Sequence, residues 1–188
     1  DLAIARLMAQ RGVKLDFVID EGLLITDGVM PGLGKPAALI GIAEAAMRTA
    51  TYLGRSFSVV TTLAQTIGRA KDLALQFGVA DACAGYHAID VAVLRLESDP
   101  TTYRRLLDGC RTALETDGSD VVVLGCAGFA PLAPNLGDDL GVPVVDGVTA
   151  GVAAVRGLID LGMTTSRALE FAPPPAKTYT GDLARFTR

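Results

Sequence analysis

The sequence predicts an α/β fold, a parallel sheet flanked by helices, and three observations carry that reading. Apolar runs of strand length alternate with helix-length segments along most of the chain, the pattern of strands joined by helical crossovers. The strand-length runs are rich in β-branched residues, as in Phe57-Ser58-Val59-Val60-Thr61-Thr62 and Val121-Val122-Val123-Leu124. Such runs suit strands covered on both faces. Half of the 188 residues are hydrophobic at a net charge of −4, so one domain, or two small lobes, has an ample core.

The same composition narrows the partners. No basic run occurs, so neither nucleic acid nor an anionic membrane surface is expected as a partner. No apolar run approaches the roughly 20 residues of a membrane span, and no signal-peptide pattern is present. Three cysteines, one histidine and no Cys-x-x-Cys leave no basis for a disulfide framework or a metal site. Gly-x-Gly-x-x-Gly and the Gly-x-x-x-x-Gly-Lys-Ser/Thr loop are both missing, and with them the common nucleotide cradles. A cytoplasmic protein with reduced thiols and a small-molecule ligand is the expectation.

Each element can be justified in order. Asp1 to Gln10 has helix composition with apolar residues at 2, 4, 7 and 8, and Arg11-Gly12 reads as its stop. A parallel fold usually opens with a strand, so the chain is expected to lack its first β-α unit. Leu15 to Ile19 reads as a strand, Leu23 to Thr26 as a short extended run, and Asp27 to Pro36 as a Gly/Pro-rich loop. The apolar run Ala38 to Ile42 leads directly into a helix over 43–53, whose Glu44 falls in the first turn and suits the helix dipole. The strand Phe57 to Thr62 ends in two hydroxyls, and a helix over about 65–76 stops before Gly78. Thr61 and Thr62 there read equally as helix-entry caps or as ligand contacts.

Val79 to Cys83 and Ala88 to Leu96 read as weak strands with His87 between them, and a single histidine without a partner is usually structural. Ser98-Asp99-Pro100 opens a helix in which Leu106, Leu107, Cys110, Ala113 and Leu114 form one apolar stripe. Cys110 on that stripe is core, and Cys83 is expected to pack. Asp117-Gly118 ends the helix and delivers the chain to the strand before Cys126. Pro143 to Gly147 reads as a short buried strand, followed by a helix over 148–161 that stops at Gly162. The tail Ala172-Pro173-Pro174-Pro175 is expected to be extended.

Cys126 is the candidate for chemistry. It follows the buried run Val121–Leu124 in the turn Gly125-Cys126-Ala127-Gly128, whose small residues let backbone amides and a ligand approach the sulfur. Open parallel sheets bind ligands at the carboxyl ends of their strands. A helix amino end there offers unpaired N–H donors and a positive dipole, both of which favour a thiolate.

Several segments together resemble the hydantoin racemases of the aspartate/glutamate racemase superfamily. They are Val122 to Gly128, Leu140 to Val148, Ile40 to Ala46, Phe57 to Thr62, and Thr165-Ser166 ahead of the proline-rich tail. The resemblance implies two similar α/β lobes facing each other across a cleft that holds the active site. Here 1–42 with 148–188 would form the first lobe, and 43–147 the second, carrying Cys126. It further implies cofactor-independent racemisation of 5-substituted hydantoins or allantoin, with one cysteine on each face of the chiral carbon, and a homo-oligomeric assembly. Cys126 matches the family's second cysteine. Gly125, Ala127 and Gly128 would offer backbone donors to a substrate carbonyl, and Thr61, Thr62, Glu44, Asp146 and Gly147 complete the expected substrate-binding set.

The sequence departs from the family at the first cysteine. The family has a Cys-Phe-x-Asp-Pro-Gly-Leu stretch, and the nearest counterpart is Asp27-Gly28-Val29-Met30-Pro31-Gly32-Leu33. Either the chain is part of a longer protein, which is the expectation, or this member has lost one base. An acid such as Asp27 could then serve in its place. Two other readings stay open: a single-cysteine decarboxylase of malonate-type acids, and a small-molecule binder that keeps the cleft without the chemistry.

Overall fold

The computed structural model describes residues 18–20, 39–163, 166, 168–169, 172, 178 and 180–186. The sequence readings for 1–17, for the loop 21–38 with its Pro-Gly-Leu stretch, and for the proline run 173–175 lie outside the described residues.

Two short strands, β1 (Val18–Asp20) and β2 (Leu39–Gly41), pair in parallel with Val18 opposite Leu39. The chain passes from β2 straight into helix α1 (Ile42–Leu53). Then come β3 (Phe57–Thr61), a 3₁₀ turn over Ala64–Thr66, and α2 (Ile67–Gln76). Next are β4 (Cys83–Ala88) and the long helix α3 (Thr102–Asp117). The last part comprises β5 (Val121–Leu124), a 3₁₀ segment Ala127–Leu132, α4 (Ala133–Leu140), β6 (Val144–Asp146) and α5 (Gly147–Asp160). β3 to β6 form one all-parallel sheet in the order β4-β3-β5-β6. The α/β expectation is met.

Both faces of this sheet are covered, which is why its two central strands carry so little polarity. All five residues of β3 and all four of β5 are buried. On one face α1, α2 and α5 enclose Ala46, Met47, Ala50, Phe57, Val59, Ala74, Val121 and Val123. On the other, α3 and α4 enclose Val60, Leu106, Cys110, Ala113, Val122, Phe129 and Leu136. Cys110 is fully buried on the α3 stripe, as its spacing predicts. α1 and α5 pack on each other, and α5 also touches β1 and β2, so it ties the small sheet to the large one.

Two strand readings are corrected. Val79 does not begin a strand: Gly78 ends α2 in the left-handed conformation at φ 68°. Val79 N–H then donates to Ala74 O (3.0 Å) and Gly78 N–H to Leu75 O (3.1 Å), the paired bonds of a helix C-cap. A backbone donor spent on the cap is not available to a sheet ladder, and Ala80–Ala82 is a 3₁₀ turn. The strand starts at Cys83 and runs through His87, so the histidine lies within β4 instead of between two strands.

The Ala88 to Leu96 run is not a strand either, although Ile89 and Val91 are buried. Ile89 and Val91 donate to the carbonyls of Thr61 and Thr62 at 3.1 and 3.0 Å, but β3 ends there and gives no further partner. Asp90 turns the chain at φ 51°, and Arg105 Nη2 holds the turn through Ile89 O (2.7 Å) and Asp90 O (3.3 Å). Val93–Arg95 is then a 3₁₀ turn. No helix among the described residues is long and apolar enough to cross a membrane.

Candidate active site

Cys126 stands two residues beyond β5, in extended backbone at φ −145°, ψ 131°, immediately before the 3₁₀ segment. Its neighbours come from three strand ends. Gly125 N–H donates to Val60 O (2.9 Å), which extends the β3–β5 ladder by one bond and holds the turn against Thr61. That bond removes Gly125 from the expected set of amide donors to a ligand. The amides of Ala127 and Gly128 precede the first internal bond of the turn, Phe129 N–H to Cys126 O (3.1 Å). They are the donors that remain. The segment is 3₁₀ with Pro131 inside it, and the α-helix begins only at Ala133.

Beside Cys126 lies a recess of about 200 Å³. Its base is formed by β3 and β5 through Val59, Thr61, Val123, Leu124 and Gly125. One wall is α1 with Ile42, Ala43, Ala46 and Met47, the other is α2 and its approach with Thr66, Arg69, Ala70 and Leu73, and Ala127 and Gly147 complete the lining. The cavity therefore sits at the carboxyl ends of parallel strands, where the sheet leaves backbone ends and side chains facing a crevice.

Of the expected site residues, the fold gathers Cys126, Thr61, Gly125, Ala127 and Gly147 around this recess. Thr61 is buried, and its hydroxyl bonds Thr66 Oγ1 (2.9 Å) and, more loosely, Gly125 O (3.4 Å). It braces the two strand ends and caps no helix. Thr62 is buried and outside the lining. Gly128 flanks the thiol on its other side: a methyl there would lie 3.6 Å from Cys126 Sγ and 2.7 Å from Leu96 Cδ1.

Two acids are engaged elsewhere. Glu44 pairs with Arg48 (2.8 Å) on α1 and does not line the recess. Asp146 is buried and caps α5, its Oδ1 accepting from Thr149 N–H at 2.7 Å. Gly147 follows because nothing larger fits: a methyl would come within 2.6 Å of Ile42 O.

The other two cysteines sit in surroundings that hold the proton. Burial pushes the Cys110 thiol up to about 12. Burial also raises Cys83, partly offset by a hydrogen bond with Tyr86. Cys126 is half-buried and lines the recess. His87 lies away from it, bonded through Nε2 to Asp117 Oδ2 (2.7 Å), which also accepts from Ser58 Oγ. Ser58 and Ser119 share a further hydroxyl bond of 2.8 Å. Because serine and histidine both bond the carboxylate and not each other, this group does not form a nucleophile–base relay. It ties β3, β4 and α3 together.

Sequence reasoning missed Met47, Thr66, Arg69 and Leu73. Arg69 and Leu73 stand four residues apart and so share a helix face, but the partner wall α1 lies across the recess and is not adjacent in the chain. Among the described residues no group of histidine, cysteine and acid side chains could hold a metal ion.

Comparison with known proteins places this geometry. A family model described as Asp/Glu/hydantoin racemase matches residues 35–155. The hydantoin racemase of Rhizobium meliloti is 40% identical over 144 residues, which cover 76% of this chain and 60% of that protein. The chain thus spans about three fifths of the length of that curated relative. The allantoin racemase structure from Klebsiella pneumoniae is 37% identical with a TM-score of 0.78, over 99% of this chain and 76% of that one. The allantoin racemase from Pseudomonas fluorescens is 35% identical with a TM-score of 0.77, over 95% of this chain and 77% of that one. The matched span covers both walls of the recess and the Cys126 turn, and the chain belongs to the Asp/Glu/hydantoin racemase family.

Proposed function

We propose that the protein racemises 5-substituted hydantoins, or the related allantoin, without a cofactor, and that Cys126 moves the proton at the ring's chiral carbon. The observation that carries the reading is the position of Cys126. It is a half-buried thiol lining a recess at the strand ends, while the other two thiols are held protonated by burial. The hydantoin and allantoin racemases among its relatives support the same substrate class.

The chemistry follows from the residues. The carbon between a ring carbonyl and a ring nitrogen loses its proton as an enolate, so negative charge develops on the carbonyl oxygen. A Cys126 thiolate takes the proton, and the amides of Ala127 and Gly128 donate to that oxygen as an oxyanion hole does. Thr61 holds the turn in place through its hydroxyl, and Gly147 lets the start of α5 pack directly against Ile42. Inversion needs a second acid on the opposite face. In this reading it comes from the first lobe, built from 1–42 with 148–188, facing the second lobe 43–147 in a cytoplasmic homo-oligomer.

The test is exchange and inversion in deuterated water, followed by proton NMR and polarimetry on each pure enantiomer. The protein is expected to exchange the ring α-hydrogen, and Cys126→Ser is expected to slow exchange by about 10²–10⁴. Undiminished exchange in Cys126→Ser would remove the thiol from the mechanism. Inversion that keeps pace with exchange, from both enantiomers, identifies a second base. Exchange of one enantiomer with lagging inversion identifies Cys126 acting alone.

A further inference from the structure

We infer that the recess beside Cys126 takes a substituent with an apolar stem and an anionic tip, and that Arg69 is the residue that reads the tip. The inference rests on the hydantoin reading above and names the substrate more closely: a hydantoin whose 5-substituent carries a carboxylate.

The walls are apolar, with Met47 on one side, Leu73 on the other and Val59 and Val123 beneath. Among the lining residues Arg69 is the one charged side chain. Of the other helix arginines, Arg48, Arg111 and Arg156 pair with an acid three or four residues away on their own helices, while Arg104 and Arg105 make no ion pair among the described residues and do not line the recess. Arg69 has Asp72 at the same spacing, yet it lines the recess and makes no ion pair among the described residues.

The remaining polar groups are already occupied. Thr61 and Thr66 bond each other at 2.9 Å, and Thr66 Oγ1 donates to Leu63 O at 2.8 Å. Arg69 is exposed, whereas Cys126 is half-buried, and both line the recess. A ring held at the thiol would direct its substituent along the apolar walls toward the guanidinium. A guanidinium offers a planar pair of donors that matches a carboxylate, and a neutral amide or alkyl group cannot replace that interaction in strength.

The experiment compares three hydantoins with 5-substituents of similar length, ending in a carboxylate, a methyl group or an amine. Binding is measured by calorimetry and α-hydrogen exchange by NMR, at low and moderate salt. The proteins are wild type, Arg69→Gln and Arg69→Glu, each first checked for native circular dichroism. Wild type is expected to favour the carboxylate over the methyl analogue by about tenfold or more, the range of a charge-assisted hydrogen bond. Arg69→Gln should collapse that ratio toward one, and Arg69→Glu should turn the preference toward the amine. A ratio unchanged by Arg69→Gln overturns the inference and leaves the hydantoin reading standing. So does an equal slowing of all three ligands, because Arg69 would then serve the ring oxygen and not the substituent. Failure of every hydantoin to bind or exchange overturns the hydantoin reading and this inference with it.

Discussion

Alkylation of the native protein at about pH 8 is expected to modify Cys126 first, and the margin follows from the surroundings of the other two thiols. The thiolate is the nucleophile. With its proton held up to about 12 by burial, Cys110 is ionised in only about one molecule in 10⁴ at that pH. The rise from 9.0 to about 12 lowers the Cys110 thiolate fraction by about 10³ relative to the same thiol in water. Its zero exposure adds the requirement that α3 first open. Cys83 is intermediate: burial raises it, its sulfur contacts Gly85 O at 3.5 Å, and it sits at the start of an edge strand. The expected order is therefore Cys126, then Cys83, then Cys110. A timed pulse of iodoacetamide, quenched and mapped by peptide mass, reads all three rates in one sample. Labelling of Cys83 or Cys110 ahead of Cys126 would refute the reasoning, since it would mean that exposure and burial do not order these thiols.

Three further outcomes follow from the packing. Gly147→Ala places a methyl 2.6 Å from the Ile42 carbonyl, a backbone atom that cannot swing aside, and should destabilise the fold by about 1–3 kcal/mol. An unchanged midpoint in urea would show that α1 and α5 can part without strain. Asp117→Ala strips the carboxylate that accepts from Ser58 and bonds His87, and the loss of partners for part-buried groups should also remove about 1–3 kcal/mol. Wild-type stability in that variant would refute a structural role for the cluster. Finally, the folded Cys110 thiol keeps its proton where the unfolded one loses it, so the unfolded state binds fewer protons and stability must fall with rising pH. The window runs from about 9.0 to about 12, at about 1.4 kcal/mol per pH unit for this group. Urea midpoints across that range should flatten in Cys110→Ala relative to wild type, and parallel curves would count against the assignment.

What the sequence determined by itself was the part whose cause is local. The β-branched run Val121–Leu124 demanded a strand covered on both faces, and the stripe through Leu106, Cys110 and Ala113 demanded a helix with one buried side. Gly118 marked the helix end through a left-handed conformation, φ 63°, that most residues resist. Cys126 stood out from the other two cysteines because small residues flank it after such a strand, a signal contained within seven residues.

The tertiary structure decided whatever depended on residues distant in the chain. Cys83–Ala88 has little strand propensity, with Gly85 and three alanine or cysteine positions, and becomes a strand because β3 offers it a ladder. Asp117, 30 residues from His87, packs where a side chain at position 85 would otherwise lie. The same fold turned Val79 to a helix cap and ended the Ala88 to Leu96 run at Asp90, because hydrogen-bond partners, and not hydrophobic pattern, were what those segments competed for. The recess is the clearest case. Met47, Arg69 and Cys126 lie on three elements with no local periodicity in common, and only the packing of α1 and α2 across β3 and β5 brings them to one cavity.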